Sequence, residues 1–424
     1  MNNHPNAKWK ETFIRQIAQE EQEQYIEVKF SVPENIESIH VKMEVTSENP
    51  SETVIDLGVR DSNRVRGWSG GARAHFYISE TSATPGYLQG TLQKGEWAVL
   101  LGSYKVQPNG CEVKLEIEYT PKIYRWLRGD LHLHSVHSDG TYTLKESIEI
   151  AESLQLDFIA LTDHNTSSQN YARPRDAKIT IIPGMELTTN KGHLNLLGVE
   201  DPLQDFRVNS DLELAQRLKE ARKNGAAITL NHPYCRYTGW KWDWNFDYDF
   251  VEIWNGPWRE DNQKALNWWQ QELSNGRKLV AIGGSDTHRP DPFVKHGGPT
   301  TWVYSKSKSQ EDILNEVHQG HVHISYSPTG PLIEMECGNS MMGDTCVKSN
   351  ETIDVKASRI KNKDIIKIYT NKGLELEKII TNDEQVELKI NNDNRTFYRG
   401  EIWRYFSEVD EYLLAALCNP IYFD

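Results

Sequence analysis

The sequence predicts a multidomain α/β protein, with a parallel β/α domain between two β-rich domains. Three observations support this: period-two alternation over residues 25–125, apolar runs that alternate with helical stretches over 128–327, and a return of β-character over 328–424. A chain of 424 residues is long enough for two or three domains. We therefore predict domains at 1–125, 126–327 and 328–424.

The first predicted domain begins with residues 8–23, which are charged and carry scattered apolar positions. This stretch predicts a short amphipathic helix. The runs 25–30 and 113–119 then alternate apolar and polar residues with period two, as strands with one buried face do. Turns rich in Gly and Pro separate such runs, so we expect a β-sandwich.

The middle segment contains short, almost wholly apolar runs that end in ionisable residues. Such runs are typical of parallel strands buried on both faces. Helical patterns lie between them, and parallel strands joined by helices place their carboxyl ends at one face, where (β/α) barrels build active sites. The predicted helices are residues 144–154, 212–224, 259–273 and 310–319.

The most informative run is residues 128–140. Leu131 and Leu133 alternate with His132 and His134, so both imidazoles leave the same face of a strand. Two imidazoles side by side at a strand end, followed by a carboxylate, suit a divalent metal of the Zn, Mn or Fe kind.

The same pattern recurs further along the chain. Seven of the 14 histidines lie between residues 132 and 288. An ordinary surface or core role explains one or two of these seven at most. Imidazoles and carboxylates without thiolates suit Zn, Mn or Fe and do not choose among them. The further candidate metal ligands are Asp139, His164, Glu186, His193, His232, Asp286 and His288.

These motifs resemble those of the PHP (polymerase and histidinol phosphatase) family over about residues 128–327. The motifs are His132-x-His134 with Ser138-Asp139-Gly140, Thr162-Asp163-His164-Asn165, Gly184-x-Glu186, Asn231-His232-Pro233 and Ser285-Asp286-Thr287-His288. The resemblance implies a distorted (β/α)7 barrel with a polynuclear metal centre that acts mostly on phosphoesters. Residues 66–71 and 84–87 resemble the β-domain of the carbaryl-hydrolase-like branch, which also implies a small immunoglobulin-like domain at 328–424.

The resemblance also implies how the ligands are shared among the metals. His132, His134, Glu186 and Asp286 would hold one metal, and Glu186 would bridge to a second metal held by His193 and His232. Asp139, His164 and His288 would serve a third position. Many members of the family use a histidine where this chain has Asp139 or Gly140, so the choice between two and three metals stays open.

Such a centre lowers the pKa of bound water towards about 7. We therefore expect direct attack on the substrate by metal-bound hydroxide, without a covalent enzyme intermediate. Asp163 is a candidate hydrogen-bond acceptor that would orient a ligand imidazole, with a strand-end cap as the alternative. Arg289 is the first candidate for binding a phosphate oxygen, followed by Lys191 and Arg236.

Three functions fit these residues. The first is a metal-dependent phosphoesterase, because phosphoester hydrolysis is the family's commonest chemistry. The second is a carbamate or carboxylic ester hydrolase of the carbaryl-hydrolase type, which the tryptophan-rich segment 236–248 would suit if it forms a loop over the site mouth. The same segment is equally compatible with a hydrophobic plug between the loop and the barrel. The third function is a non-catalytic metal-binding module, which would predict missing ligands.

The composition indicates which partners and which cellular compartment to expect. A net charge of −14 argues against stable binding to nucleic acid. The resemblance to the PHP family implies a small-molecule, phosphorylated substrate. Five scattered cysteines indicate a reducing compartment, and residues 1–5 contain no hydrophobic signal core. No apolar run approaches the length of a membrane span, so the prediction is a cytoplasmic protein. The sequence leaves the oligomeric state open.

Overall fold

The computed structural model describes residues 7–174, 177–347, 352–381 and 384–424. The chain forms two compact units, Met1–Tyr124 and Arg125–Asp424. Residues 1–5, in which we found no hydrophobic signal core, lie outside the described residues. Within the described ranges, no helix combines the length and the apolar character that crossing a membrane requires.

The described part of the first unit, residues 7–124, contains eight strands and two short 3-10 turns, Gln19–Glu21 and Pro50–Glu52. The strands are β1 (Trp9–Ile17), β2 (Tyr25–Val32), β3 (Ile36–Thr46), β4 (Val54–Arg60), β5 (Val65–Gly70), β6 (His75–Ser79), β7 (Gly95–Lys105) and β8 (Cys111–Pro121).

These strands form two four-stranded antiparallel sheets, in the orders β1-β8-β3-β6 and β2-β7-β4-β5. One hydrophobic cluster takes side chains from both sheets, including Trp97 and Tyr119. Along β8 every second residue is buried, as the period-two alternation predicted. Two sheets that share one core are the arrangement expected of a β-sandwich.

The predicted helix over residues 8–23 is wrong, because Trp9–Ile17 is a strand paired antiparallel with β8. The apolar residues Trp9, Phe13 and Ile17 are spaced by four, and this spacing fits both a helical face and one face of a strand. The pairing partner, more than 90 residues away along the chain, decides between the two.

The described residues of the second unit form nineteen strands and five helices. The strands are β9 (Arg125–Leu133), β10 (Phe158–Leu161), β11 (Thr180–Thr189), β12 (Gly192–Leu197), β13 (Ala227–Leu230), β14 (Phe250–Asn255), β15 (Val280–Gly284), β16 (Thr300–Ser305), β17 (Val322–Ser325), β18 (Leu332–Cys337), β19 (Ser340–Met341), β20 (Thr345–Cys346), β21 (Thr352–Ile360), β22 (Ile365–Thr370), β23 (Gly373–Ile379), β24 (Glu384–Asn391), β25 (Phe397–Phe406), β26 (Glu411–Cys418) and β27 (Ile421–Phe423). The helices are α1 (Leu144–Ser153), α2 (Ser168–Ala172), α3 (Asp211–Lys223), α4 (Glu260–Ser274) and α5 (Gln310–Gln319).

All four helices predicted for the middle segment are confirmed, with ends that differ by at most one residue. Local signals explain the good agreement. Thr143 forms a capping box with Glu146 at the start of α1, and Ser309 caps α5. Gly320 ends α5 in the left-handed conformation, with φ of 79°.

Seven consecutive strands, β9 to β15, are neighbours in one sheet. The two ends of this row meet, since Leu133 forms a parallel bridge with Thr287 just after β15. The His134 amide donates to the Thr287 carbonyl at 3.0 Å, and the Asp286 amide donates to the His132 carbonyl at 2.9 Å. Strand β12 is antiparallel to both of its neighbours, and a hairpin rather than a helix joins it to β11. The alternation of strands and helices is thus interrupted at β12, and the distorted (β/α)7 barrel stays a prediction.

The sheet continues beyond this ring into the C-terminal segment. It runs from β9 through β16 and β17 to β26, β25, β22 and β23, while β19, β18, β21 and β24 form a separate sheet. Strands β22 and β23 pair antiparallel as a hairpin whose turn is at residues 370–373. The boundary between 327 and 328 and an immunoglobulin-like fold stay predictions.

Candidate metal centre

The predicted ligands come from strands of the ring and from the residues that follow them. His132 lies in β9 and His134 just after it, while His164, His232 and Asp286 follow the ends of β10, β13 and β15. Glu186 and His193 lie within the paired strands β11 and β12. The structure brings all nine predicted ligands together into overlapping clusters. The remaining two, Asp139 and His288, lie on the loops after β9 and β15.

Glu186 is the carboxylate at the centre of these clusters. It is completely buried, and both of its oxygens lie close to imidazole nitrogens. Oε1 lies 3.2–3.3 Å from nitrogens of His132, His193 and His232. Oε2 lies 2.7 Å from His164 Nδ1 and 3.5 Å from His134 Nε2.

A second acidic group closes the other side of the His-x-His pair. Asp286 Oδ1 lies 3.1 Å from His134 Nε2 and 3.4 Å from His132 Nε2. Asp139 Oδ1 lies 3.4 Å from His288 Nε2 and 3.6 Å from His164 Nε2. The carboxylates therefore lie between imidazoles rather than beside Lys or Arg.

Four groups of donor atoms are compact enough to hold a metal, with all atoms of a group within 4.8 Å of one another. The groups are His132-His134-Asp286, His132-Glu186-His232, His164-Glu186-His193 and His134-Asp139-His164-His288. His232 and His193 thus fall into different groups, although both contact Glu186 Oε1. Because the groups share ligands, the four candidate metal sites overlap.

Two buried ligand atoms lack hydrogen-bond partners within the described part of the chain, which is consistent with metal binding. Glu186 Oε2 and His134 Nδ1 are buried and have no hydrogen-bond partner among the described residues. Buried polar atoms without partners are rare, because their desolvation is not offset. A divalent cation beside Glu186 would satisfy the carboxylate oxygen, and the N and O donors are those that Zn, Mn or Fe accept.

The electrostatics of the cluster favour positive charge at this point. Burial works against the charged form of Glu186, but the charges of His132 and His193 hold its pKa well below its usual value. Burial likewise opposes protonation of His232, but Glu186 and Glu252 raise its pKa to about 9. Glu186 therefore stays ionised, and the positive charge beside it can be supplied by protons on imidazole or by divalent metals.

Glu252 in β14 is a site residue that the sequence reasoning missed. His132 Nδ1 donates to Glu252 Oε1 at 2.9 Å, and the His232 amide donates to Glu252 Oε2 at 2.9 Å. The first bond places the proton of His132 on Nδ1 and leaves Nε2 facing the other ligands. The available signal was one glutamate within the otherwise apolar run 250–254.

Two asparagines extend this hydrogen-bonded support. Asn231 Nδ2 donates to Glu186 Oε1 at 2.8 Å. Asn255 Nδ2 donates to Asp286 Oδ2 at 3.2 Å, and its Oδ1 accepts from Arg259 Nη2 at 2.9 Å. One amide thus connects a candidate ligand to a guanidinium group at the start of α4.

Asp163 does not contact an imidazole among the described residues. Its Oδ1 accepts from the Ser135 amide at 2.8 Å and from Ser138 Oγ at 2.8 Å, and its Oδ2 accepts from Ser135 Oγ at 2.9 Å. These contacts favour the strand-end alternative. Asp163 holds the loop that carries Asp139, while Glu252 makes the imidazole contact that was expected of Asp163.

The backbone around the ligands is strained or tightly packed. His232 and Asp286 have φ angles of 25° and 53°, which non-glycine residues rarely adopt and which cluster at functional sites. Gly284 leaves no room for a side chain, because a Cβ there would lie 2.4 Å from His132 Cβ and 2.7 Å from Glu252 Oε1. The fold thus accepts unfavourable local conformations to position these ligands.

The three cations predicted to bind substrate lie elsewhere or make no contact with the ligands. Arg236 pairs with Asp261 at 3.7 Å, and Lys191 Nζ lies 4.3 Å from the centre of the Trp242 ring. Arg289 is exposed beside His288 and has no ion pair among the described residues. Arg259, which the sequence reasoning did not select, is the arginine connected to a ligand through a hydrogen-bonded residue.

The tryptophan-rich segment 236–248 packs inwards. Trp240 and Trp242 are buried in the hydrophobic core of the second unit, and Trp242 Nε1 donates to Thr189 Oγ1 at 2.9 Å. Trp244 packs against Tyr234 and Trp268. This favours the plug alternative for the segment over an open aromatic surface at the mouth.

Comparison with known proteins gives one family match. The PHP domain matches residues 130–378, which is more than half of the chain. No curated protein matches the chain in sequence.

Several solved structures resemble the chain. One is a two-domain protein containing a predicted PHP-like metal-dependent phosphoesterase from Bacteroides vulgatus ATCC 8482, with 18% identity, 70% of this chain and 95% of that chain covered, and a TM-score of 0.42. A second, a candidate metal-dependent phosphoesterase from Bifidobacterium adolescentis ATCC 15703, has 17% identity, coverages of 44% and 95%, and a TM-score of 0.31. A third is an amidohydrolase from Chromobacterium violaceum with bound sulfate, with 18% identity, coverages of 39% and 89%, and a TM-score of 0.27.

Proposed function

We propose that this chain, which belongs to the PHP domain family, is a phosphoesterase with a polynuclear metal centre. Membership of the family and the His, Asp and Glu clusters support a metal-dependent hydrolase. We further propose that the ester is a phosphoester and that the nine clustered residues are the ligands of the metals. The substrate would be a small phosphorylated molecule.

The observation that carries the proposal is the sharing of Glu186. Its two oxygens lie near five imidazoles, so one carboxylate can serve more than one metal. A non-catalytic module would need only one complete group of ligands. Four overlapping groups are more than binding a single ion requires, and they suit a reaction in which charge develops on two oxygens at once.

Divalent metals at such a centre supply activation of water and stabilisation of the charge that develops on the transferred group. The protein's own residues fix the geometry. Glu252 orients His132 and the backbone of His232, Asn231 orients Glu186, and Asn255 orients Asp286. Because each of these four ligands is held by a buried residue, we expect little reorganisation of the site during the reaction.

Arg259 supports a phosphoester rather than a neutral carbonyl ester. Asn255 is its one hydrogen-bond partner among the described residues, and none of its nitrogens pairs with a carboxylate there. A guanidinium group has five donors, which match the oxygens of a phosphate. A carbamate or carboxylic ester has no anionic group to bind there. We therefore assign to Arg259 the role of binding a phosphate oxygen, in place of Arg289, Lys191 and Arg236.

The test is release of p-nitrophenol from a phosphate monoester, a phosphodiester and an aryl carbamate, with protein reconstituted with Mn or Zn. We expect metal-dependent release from a phosphate ester, abolished by His132→Ala. The matched control is His137→Ala, which removes a histidine five residues away whose Nδ1 contacts Ser168 Oγ at 2.8 Å. This control should keep its activity.

The other outcomes separate the alternatives. Release from the carbamate alone would move the protein to the carbaryl-hydrolase type of reaction. Full metal loading without release from any ester would contradict a broadly acting hydrolase and favour the metal-binding module. A loss of phosphatase activity in Arg259→Gln, with metal content unchanged, would support its assignment to the phosphate.

A further inference from the structure

Trp302 in β16 carries two arginines on its ring. The Cζ atom of Arg128 lies 5.6 Å from the ring centre, and the Cζ atom of Arg359 lies 5.1 Å from it. Both guanidinium groups donate through Nη1 to the carbonyl of Pro328, at 3.4 Å and 3.3 Å. Because they share one acceptor, two like charges lie side by side.

The backbone is distorted where Arg359 enters this arrangement. Arg359 lies at a register shift between β21 and β24 and has φ of 54°. A non-glycine residue in this region of the backbone is strained, and bulges commonly re-aim a side chain. The strain is therefore associated with the placement of a second positive charge beside Arg128.

The positive charges are not neutralised by the protein. Among the described residues, no carboxylate forms an ion pair with the guanidinium group of Arg128 or Arg359. Asp157 accepts from the Arg128 amide, but its other oxygen pairs with Lys308 at 2.7 Å. Burial and the charge of Arg128 both lower the pKa of Arg359. In a chain with a net charge of −14, two neighbouring arginines without an acid are unexpected.

Donor groups also remain available. Arg128 uses Nε and Nη2 on Gln155, whereas Nε and Nη2 of Arg359 make no hydrogen bond with a described residue. The alternative is that the two arginines only stack on the ring, since an indole ring stabilises a cation over its face. This alternative explains why each guanidinium group lies near the ring. It does not account for the strained backbone or for the shared carbonyl.

We propose that Arg128 and Arg359, supported by Trp302, form a second anion site that binds a doubly charged tetrahedral oxyanion. The ligand is a free phosphate or sulfate ion, or the terminal phosphoryl group of a small molecule. Guanidinium groups bind such oxygens in pairs, and stacking on the indole holds their planes in place.

This site is distinct from the metal centre. Arg128 precedes His132 by four residues of the same strand, which corresponds to roughly 13 Å along β9. Arg359 belongs to β21, which contributes none of the candidate metal ligands. The second site therefore does not depend on the proposed reaction.

The experiment is calorimetric titration of the full-length, metal-depleted protein with sodium sulfate, with sodium chloride of equal ionic strength as the blank. Arg359→Gln and Arg359→Gly test the site, and the glycine variant also relieves the left-handed backbone, so it should remain folded. Arg64→Gln is the control, since Arg64 is an exposed arginine of the other unit whose Nε donates only to the Val65 carbonyl.

We expect one saturable sulfate site in the wild type and in Arg64→Gln, weakened about tenfold or more in both Arg359 variants. The same number of sites and the same affinity in Arg359→Gly as in the wild type would overturn the proposal, as would no saturable binding at all. A parallel titration with inorganic phosphate and phenyl phosphate identifies the ligand's source. Tighter binding of phenyl phosphate indicates a phosphorylated small molecule, and equal or weaker binding indicates the free ion.

Discussion

Glu252→Gln is the substitution that tests the proposed centre most directly without removing a ligand. Glu252 is buried, and its two oxygens accept from His132 Nδ1 and from the His232 amide, each at 2.9 Å. Glutamine has nearly the same shape but only one oxygen that accepts. Whichever way the amide is oriented, its NH2 group faces one of these two donors.

The size of the effect follows from this geometry. Losing one buried hydrogen bond to a charged group costs about 1.5–3 kcal/mol of unfolding free energy. If the NH2 group faces His132, that imidazole loses the contact that keeps Nε2 free for metal; if it faces the His232 amide, the backbone of that ligand loses its support. Loss of a contact that orients a ligand lowers metal affinity roughly 10- to 100-fold. We therefore expect reduced stability together with weaker metal binding.

Two measurements are needed: metal affinity by competition with a chelator, and the free energy of unfolding in urea. The matched control is Glu401→Gln, a buried glutamate that accepts from Arg399 Nη1 at 2.6 Å and Trp403 Nε1 at 2.7 Å, away from the ligands. It should lose stability but keep its metal affinity. Unchanged metal affinity in Glu252→Gln would refute the reasoning that Glu252 orients the centre.

Three further predictions follow from the same contacts. Gly284→Ala places a Cβ 2.4 Å from His132 Cβ. We expect the free energy of unfolding to fall by about 1–3 kcal/mol and elemental analysis to find less bound metal. A normal metal content would show that the strand shifts freely. Metal depletion should lower the unfolding temperature, because a ligand at a hundredfold excess over its Kd stabilises the folded chain by about 2.7 kcal/mol per site; an unchanged temperature would argue against tight binding. Burial of His321 opposes its protonation, but Glu316 at 2.6 Å and Asp344 at 3.0 Å raise its pKa above 6.5. Its contribution to stability is thus complete below the unfolded-state pKa of about 6.5 and is lost as the pH rises through the raised value. Urea unfolding between pH 6 and pH 9 should show this loss in the wild type and not in His321→Gln, and parallel curves for the two proteins would contradict it.

The helices were predictable because their signals are local. The Thr143–Glu146 capping box, the Ser309 cap and the terminal Gly320 are all written within a few residues of the helix ends. The strand β1 was not predictable in the same way. Its apolar spacing fits two periods, and only its partner β8 selects the strand.

The candidate ligands were predictable from their positions after apolar runs, since parallel strands bring their carboxyl ends to one face. Which of them share a donor group was not. His193 is carried by the antiparallel strand β12, and its place beside Glu186 depends on the register that pairs it with Thr188. That register is set by cross-strand contacts, which a single strand's sequence does not contain.

The supporting residues were the hardest to predict, because their roles depend on atoms far away in the chain. Glu252 contacts His132 from 120 positions away, and Asp163 holds Ser135 rather than an imidazole. For Asp163 the sequence offered two roles of equal merit. The direction of its side chain, set by the fold, favours one of them.

The sequence by itself determined the kinds of donor, their order along the chain and the positions of four of the five described helices, because these depend on side-chain chemistry and on contacts within a few residues. Only the tertiary structure decided that Glu186 lies among five imidazoles, that Arg259 rather than Arg289 is connected to a ligand, and that Arg128 and Arg359 meet on one indole ring. These are contacts between residues far apart in sequence. They form when packed strands bring distant side chains to one place, and no local pattern specifies them.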